Sequence, residues 1–301
     1  MAEVPGKVKI GAALTALISL AIVLLAPSPV LPAQTCLADG NETSIRLDDY
    51  SGLPPSLVAE AENLAVTLFD TDAKQKEFAE ELLGLYKVTE DKDVVFFFNP
   101  GGFGWMGIDE TREGNNLIAG ISAELDEMGL DYLFFNHKRT AKTFNSALSE
   151  FMVVAGIFPS KSEDLAARVD FLTRNIPGLK VVLIGISNGT LPCDGVMDIL
   201  GDNPNVLSIQ LGPPFWNKAK PDSRSLVLRS NGVIPDSFSQ GDLLTILRAN
   251  IESIYGVNQL YAGDILLSIG APGHDYNWEY DFVRSQITDF LRARLAPQRL
   301  D

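Results

Sequence analysis

The sequence predicts an α/β fold in three layers, with helices covering both faces of a mostly parallel sheet of about six strands. Two observations carry that expectation. The runs VVFFF, DYLFF, VVLIG, VLSIQL, SLVLR and DILLSIG, spread between Val94 and Gly270, are mainly apolar along their length rather than alternating. Strands of that kind are buried on both faces, as in a sheet sandwiched between helices. The segments between most of the runs keep helical spacing instead. Leu117, Ile121, Leu125 and Met128 line one face before Gly129, and Leu165, Val169, Leu172 and Ile176 line another before Pro177-Gly178. Ser160 and Glu163 are placed to form a capping box for the second of these.

Ahead of the first strand the chain divides into three parts. Lys7 and Lys9 precede an apolar run, Ile10 to Ala26, followed by PSPVLPAQ. The run exceeds a signal-peptide core and lies at the short end of a spanning helix, which favours an uncleaved anchor over a signal peptide. Lysines on its N-terminal side direct the rest of the chain out of the cytoplasm. Cleavage after a small-x-small site, Cys36-Leu37-Ala38, would make the protein secreted instead. Residues 1–33 are therefore read as the membrane segment, 34–56 as a linker rich in Pro, Gly, Asp and Ser, and 57–301 as one domain. The domain opens with two helices. Leu57, Ala61, Leu64 and Leu68 share a face of the first, and Phe78, Leu82 and Leu85 a face of the second.

Composition narrows the function. With 24 basic against 39 acidic residues, a net charge of −15, the chain has no basic stripe, and nucleic acid is not an expected partner. Two histidines and two cysteines fall short of a zinc or iron–sulfur ligand set. No EF-hand spacing is present, and no metal or other cofactor is implied. The cysteines, Cys36 and Cys193, are expected to be unbridged, because a bond would tie the linker into the core.

Two glycine-rich turns remain. The first, in FFFNPGGFGWMG, spaces Gly102, Gly104 and Gly107 as dinucleotide-binding loops do. The ribose-binding acid expected after the second strand is absent, however, since DYLFF ends in Asn136-His137-Lys138, and DETREGNN separates the glycines from the next helix. The second turn is Gly185-Ile186-Ser187-Asn188-Gly189, a G-x-S-x-G sequence between a buried strand and a helix. A sharp turn there exposes the serine at the strand end, and glycines two residues to either side relieve crowding.

On these residues the chain resembles the α/β-hydrolase superfamily from about Val94 to Leu295, with a glycine turn after the first core strand, the nucleophile two strands later and a histidine after the last strand. The resemblance implies strand order 2-1-3-4-5-6 and a serine hydrolase acting on a carboxylic ester, or less readily on a peptide or other amide. It implies Ser187 as nucleophile and His274, in APGHDYNWEY, as base. Asp236 is the preferred acid, with Asp242 and Asp222 as alternatives; its other reading is a cap for the helix beginning near Ser239. His137 comes too early in the order and is read as a pocket-wall or partly buried residue. Asn99-Pro100-Gly101-Gly102 resembles the family's oxyanion turn, so the N–H of Gly102 or Phe103 would pair with that of Asn188.

Some features depart from the family. The strands that usually precede the oxyanion strand are replaced by two helices, and Pro192 lies one turn into the nucleophile helix, where tightening is expected. No large cap separates the fourth and fifth strands. Trp105, Phe103, Phe215 and Trp216 are candidate pocket walls, as is FMVVAGIF in the long insertion from Lys138 to Ser160. The alternative from another class is a non-catalytic interaction protein on the same scaffold.

Overall fold

The structure, a computed structural model, describes residues 50–101, 112–137, 162–217, 222–254 and 270–296. The membrane-directed run, Cys36, the insertion with FMVVAGIF, Ser160, Phe103, Trp105 and the strand expected at DILLSIG lie outside the described residues, except for Gly270 at the end of the last. Among the described residues no helix is long and apolar enough to cross a membrane.

Two helices come first, α1 (Pro55–Leu68) and α2 (Asp72–Thr89). Pro54 and Pro55 suit the start of α1, where backbone N–H groups have no partner within the helix. Strand β1 (Val94–Asn99) follows, then α3 (Arg112–Met128), β2 (Tyr132–Asn136), α4 (Ser162–Asn175) and β3 (Lys180–Ile186). A 3-10 turn at Ser187–Gly189 leads into α5 (Thr190–Ile199), and then come β4 (Val206–Leu211) and β5 (Ser225–Leu228). Helices α6 (Ser237–Gln240), α7 (Leu243–Ile254) and α8 (Asp281–Leu295) complete the described chain.

The five described strands form one sheet in the order β2-β1-β3-β4-β5, every neighbouring pair parallel. This is the expected order as far as it is described. Successive side chains leave a strand on opposite faces, and the two cores divide accordingly. Val95 and Phe97 of β1, with Val181 and Leu183 of β3, pack against α1, α2, α4 and α5. Val94, Phe96 and Phe98, with Val182 and Ile184, pack against α3 and α8. The protein is therefore a three-layer α/β/α sandwich, and the two leading helices belong to the α4/α5 layer.

Helix faces read from spacing are the buried ones. Leu117, Ile121 and Leu125 are buried on α3, and Leu165, Val169, Leu172 and Ile176 on and just after α4. Gly129 directly follows α3 with a φ of 68°, the left-handed conformation that closes a helix, and Gly178, with a φ of 82°, turns the chain after Pro177 between α4 and β3. Parallel order brings the C-terminal ends of all five strands to one edge, where open α/β sheets hold their sites.

Candidate active site

Ser187 stands at that edge, directly after β3, and is the one non-glycine residue with positive φ among the described residues, at 54°. Such a backbone persists only where its surroundings hold it. They do so here through close approach. A Cβ on Gly189 would lie 2.0 Å from the Asn99 carbonyl oxygen, and one on Gly185 would lie 2.5 Å from the Gly189 carbonyl oxygen. The two motif glycines are thus required because the end of β1, the end of β3 and the first turn of α5 press together. The Thr190 hydroxyl also donates to the Ser187 carbonyl at 2.8 Å. Pro192 is the third residue of α5, where a missing N–H costs no intrahelical bond, and the expected tightening takes the form of the 3-10 turn before it.

The end of β1 is held from below. Asn99 is fully buried, and its Oδ1 lies 2.8 Å from Nδ1 of His137, which sits just past β2. Its Nδ2 donates to the Phe97 carbonyl at 3.3 Å and to Cys193 Sγ at 3.5 Å, while the buried Cys193 thiol donates to the Gly189 carbonyl at 3.3 Å. His137 is thus half-buried and bonded to a turn residue, as read. Asn99 leads into Pro100-Gly101, and a Cβ on Gly101 would lie 3.1 Å from that of Ser187. This chain therefore passes against the serine just before Gly102. Gly102 and Phe103, the expected oxyanion donors, lie outside the described residues, whereas Asn188 follows Ser187 within the 3-10 turn.

His274 approaches from the far side of β4. Its ring lies against Gly212, directly after β4, where a Cβ would be 2.6 Å from His274 Cε1. The register pairs Ile186 with Leu211, so Ser187 and Gly212 each directly follow the last paired residues of two neighbouring parallel strands. Nδ1 of His274 lies 2.9 Å from Asp236 Oδ2. Asp236 is fully buried, and its Oδ1 accepts from the N–H groups of Phe238 at 2.9 Å and Ser239 at 3.0 Å. The two readings of Asp236 are therefore not alternatives: one oxygen caps α6 and the other meets the imidazole.

Burial pushes the Asp236 carboxyl up, but the hydrogen bond and charge of His274, the Tyr276 hydroxyl and the Ser239 N–H outweigh it and hold the group below the usual carboxylate value. An ionised Asp236 can only accept, so Nδ1 of His274 carries a proton, and in the neutral ring the lone pair is then on Nε2. Nε2 is buried with no hydrogen-bond partner among the described residues, and so makes no bond to Ser187 in this structure.

The other carboxylates are engaged elsewhere. Asp222 pairs with Arg224 at 2.5 Å, Asp242 caps the start of α7 by accepting from the Thr245 N–H at 3.1 Å and from its hydroxyl at 2.7 Å, and Asp275 bonds Asn231 at 2.9 Å and also Tyr280. Aromatic rings wall the histidine. Phe238 lies 4.7 Å from the His274 ring, Trp216 lies 5.6 Å from Phe238, and Phe215 lies 4.8 Å from Trp216. The loop carrying Phe215 and Trp216 is pinned to α5 by Asn217 Nδ2, which donates to Asp194 at 2.5 Å. Buried Gln210 of β4 donates to the same carboxylate at 2.6 Å, and burial raises its pKa despite both hydrogen bonds.

Two residues at the site hold more than the sequence announces. Asn99 belongs to the glycine turn, but its bonds to His137 and Cys193 leave no sequence signal beyond an amide ending a strand of phenylalanines. Tyr276 was not singled out, and its hydroxyl donates to Asp236 Oδ2 at 2.6 Å.

No protein-family model matches the chain, and neither does any curated protein. Among solved structures, a Trichoderma reesei cutinase in complex with a phosphonate inhibitor is similar at 16% identity and a TM-score of 0.39, over 80% of this chain and 94% of that one. At this similarity nothing about the chemistry of this chain follows from it.

Proposed function

We propose that the protein is a serine hydrolase that cleaves carboxylic esters. The observation that carries the proposal is the half-buried His274 ring, with Asp236 on one nitrogen, the other nitrogen buried without a hydrogen-bond partner among the described residues, and Ser187, with its positive φ, just past the end of the neighbouring strand. Ser187 Oγ attacks the ester carbonyl while Nε2 of His274 takes its proton, and the same nitrogen returns that proton to the departing alkoxide. Water then enters by the reverse route and releases the acid. Asp236 holds the productive tautomer and stabilises the imidazolium. The N–H of Asn188, with that of Gly102 or Phe103, receives the developing oxyanion, each such donor contributing about 3 to 4 kcal/mol in the transition state. The missing Ser187–His274 bond is compatible with this, since catalytic hydrogen bonds of ligand-free sites often tighten only around substrate.

The aromatic wall of Phe238, Trp216 and Phe215 supplies an apolar surface beside the histidine, suited to the acyl or alcohol part of an ester. Residues 10–26 would hold this domain at the outer face of a membrane, and resistance of the full chain to alkaline extraction from membranes tests that placement. The catalytic proposal is tested with p-nitrophenyl esters of short and medium acids. The full chain is expected to hydrolyse them, and Ser187→Ala or His274→Ala to lower kcat by at least about 10^3-fold. Equal turnover by the parent and both variants would point to the non-catalytic alternative.

A further inference from the structure

Resting on the hydrolase reading, we infer that Tyr276 is a positioning residue that sets the basicity of His274 through the carboxylate they share. Tyr276 is 1% exposed, and its hydroxyl donates to the same oxygen of Asp236 that meets His274 Nδ1, at 2.6 Å against 2.9 Å. The other oxygen is occupied by the two N–H groups of α6. Four donors thus converge on one carboxylate, and the tyrosine is the one that competes with the imidazole for Oδ2. Burial and the charge of Asp236 push the Tyr276 phenol well above its ordinary value, so it remains a donor throughout the working range.

The ring cannot easily turn away. A Cβ on Gly212 would be 2.7 Å from Tyr276 Cε2 and 2.6 Å from His274 Cε1, so the same backbone point backs both rings. The two stand nearly perpendicular, at 87°, with centroids 6.2 Å apart. A donor on Oδ2 withdraws electron density from the oxygen facing the imidazole. The imidazolium is then stabilised less than by a bare carboxylate, and the ring stays neutral, ready to act as base, to lower pH.

The test uses the full chain, whose two histidines give a simple imidazole spectrum. With 15N-histidine labelling, the resonance lost in His274→Ala is that of His274, and its titration is followed in the parent and in Tyr276→Phe. Tyr276→Phe keeps the packed ring and removes the hydroxyl. It is expected to raise the His274 pKa by about 0.5 to 1 unit and to move the acid limb of kcat/KM upward equally. Replacing Tyr276 with 3-fluorotyrosine, which keeps ring and hydroxyl and makes the stronger donor, is expected to shift the titration downward, and it serves if Tyr276→Phe does not fold. An unchanged His274 titration in a folded variant would overturn the inference, leaving a tyrosine that merely fills the core. The titration does not depend on turnover. Parent protein that fails to cleave esters while the pKa still moves would overturn the hydrolase reading and support the coupling.

Discussion

Gly185 and Gly189 face each other across the elbow, and a methyl group at Gly189 would meet carbonyl oxygens of Asn99 and Pro100 at 2.0 and 2.7 Å. These are backbone atoms of a buried strand end, so no side-chain rotation relieves the clash. Gly189→Ala is expected to destabilise the protein by about 3 kcal/mol, read from the urea unfolding midpoint. Gly178→Ala is the contrast: its φ is 82° but no atom lies within 4 Å of the added carbon, and the cost is expected to be about 1 to 2 kcal/mol. At Asp236 the predicted effect is on rate more than on stability. Asp236→Asn keeps an oxygen for the N–H groups of Phe238 and Ser239 but turns an amide donor toward His274 Nδ1. Ester turnover is expected to fall by about 10^4-fold through the wrong tautomer, measured as kcat at neutral pH.

At the scale of elements, Pro192 decides between two views of α5. As the third residue of α5 it removes no intrahelical bond. Pro192→Ala is therefore expected to change stability by less than about 1 kcal/mol in urea unfolding, whereas Val196→Pro, in the buried interior of the helix, is expected to cost about 3 kcal/mol or more. Most elements were legible in the sequence because each face is fixed by one period. The apolar spacing of Leu165, Val169 and Leu172 has a single helical solution, and a run such as VVFFF must be buried on both sides. The turn after β3 was legible because G-x-S-x-G is a run of contiguous residues. What escaped the sequence is what the fold assembles from distant segments. Tyr276 reaches Asp236 from 40 residues away, and no local pattern announces it. The Asp194–Gln210–Asn217 cluster left only a hint, a glutamine inside the apolar run VLSIQL. The double engagement of Asp236 was hidden for another reason: a helix cap leaves the same local sequence whether or not its second oxygen meets a histidine, and only the position of His274 shows that it does.

Across the whole molecule, acid sensitivity follows from the carboxylates. The Asp236 pKa lies below its unfolded value, so the group contributes stability above the unfolded pKa and that contribution is lost as pH falls through the folded one. Between about pH 5 and pH 3 the unfolding free energy of the parent is expected to drop more steeply than that of Asp236→Asn, which lacks the titration. Urea melts at a series of pH values give both slopes, and parallel curves would mean that Asp236 is not held ionised by its partners.

The proposed chemistry depends on Ser187 being activated by the groups around it. A serine hydroxyl in water is almost fully protonated and inert toward a fluorophosphonate, so rapid covalent reaction requires a base and oxyanion donors already assembled. The most direct measurement is reaction of the full chain with a fluorophosphonate near neutral pH, followed by peptide mapping. A single modification is expected, at Ser187, that is lost in Ser187→Ala and falls at least about 10^2-fold in rate in His274→Ala. A folded protein that remains unmodified from mildly acidic to alkaline pH, or one modified just as fast without His274, would contradict it.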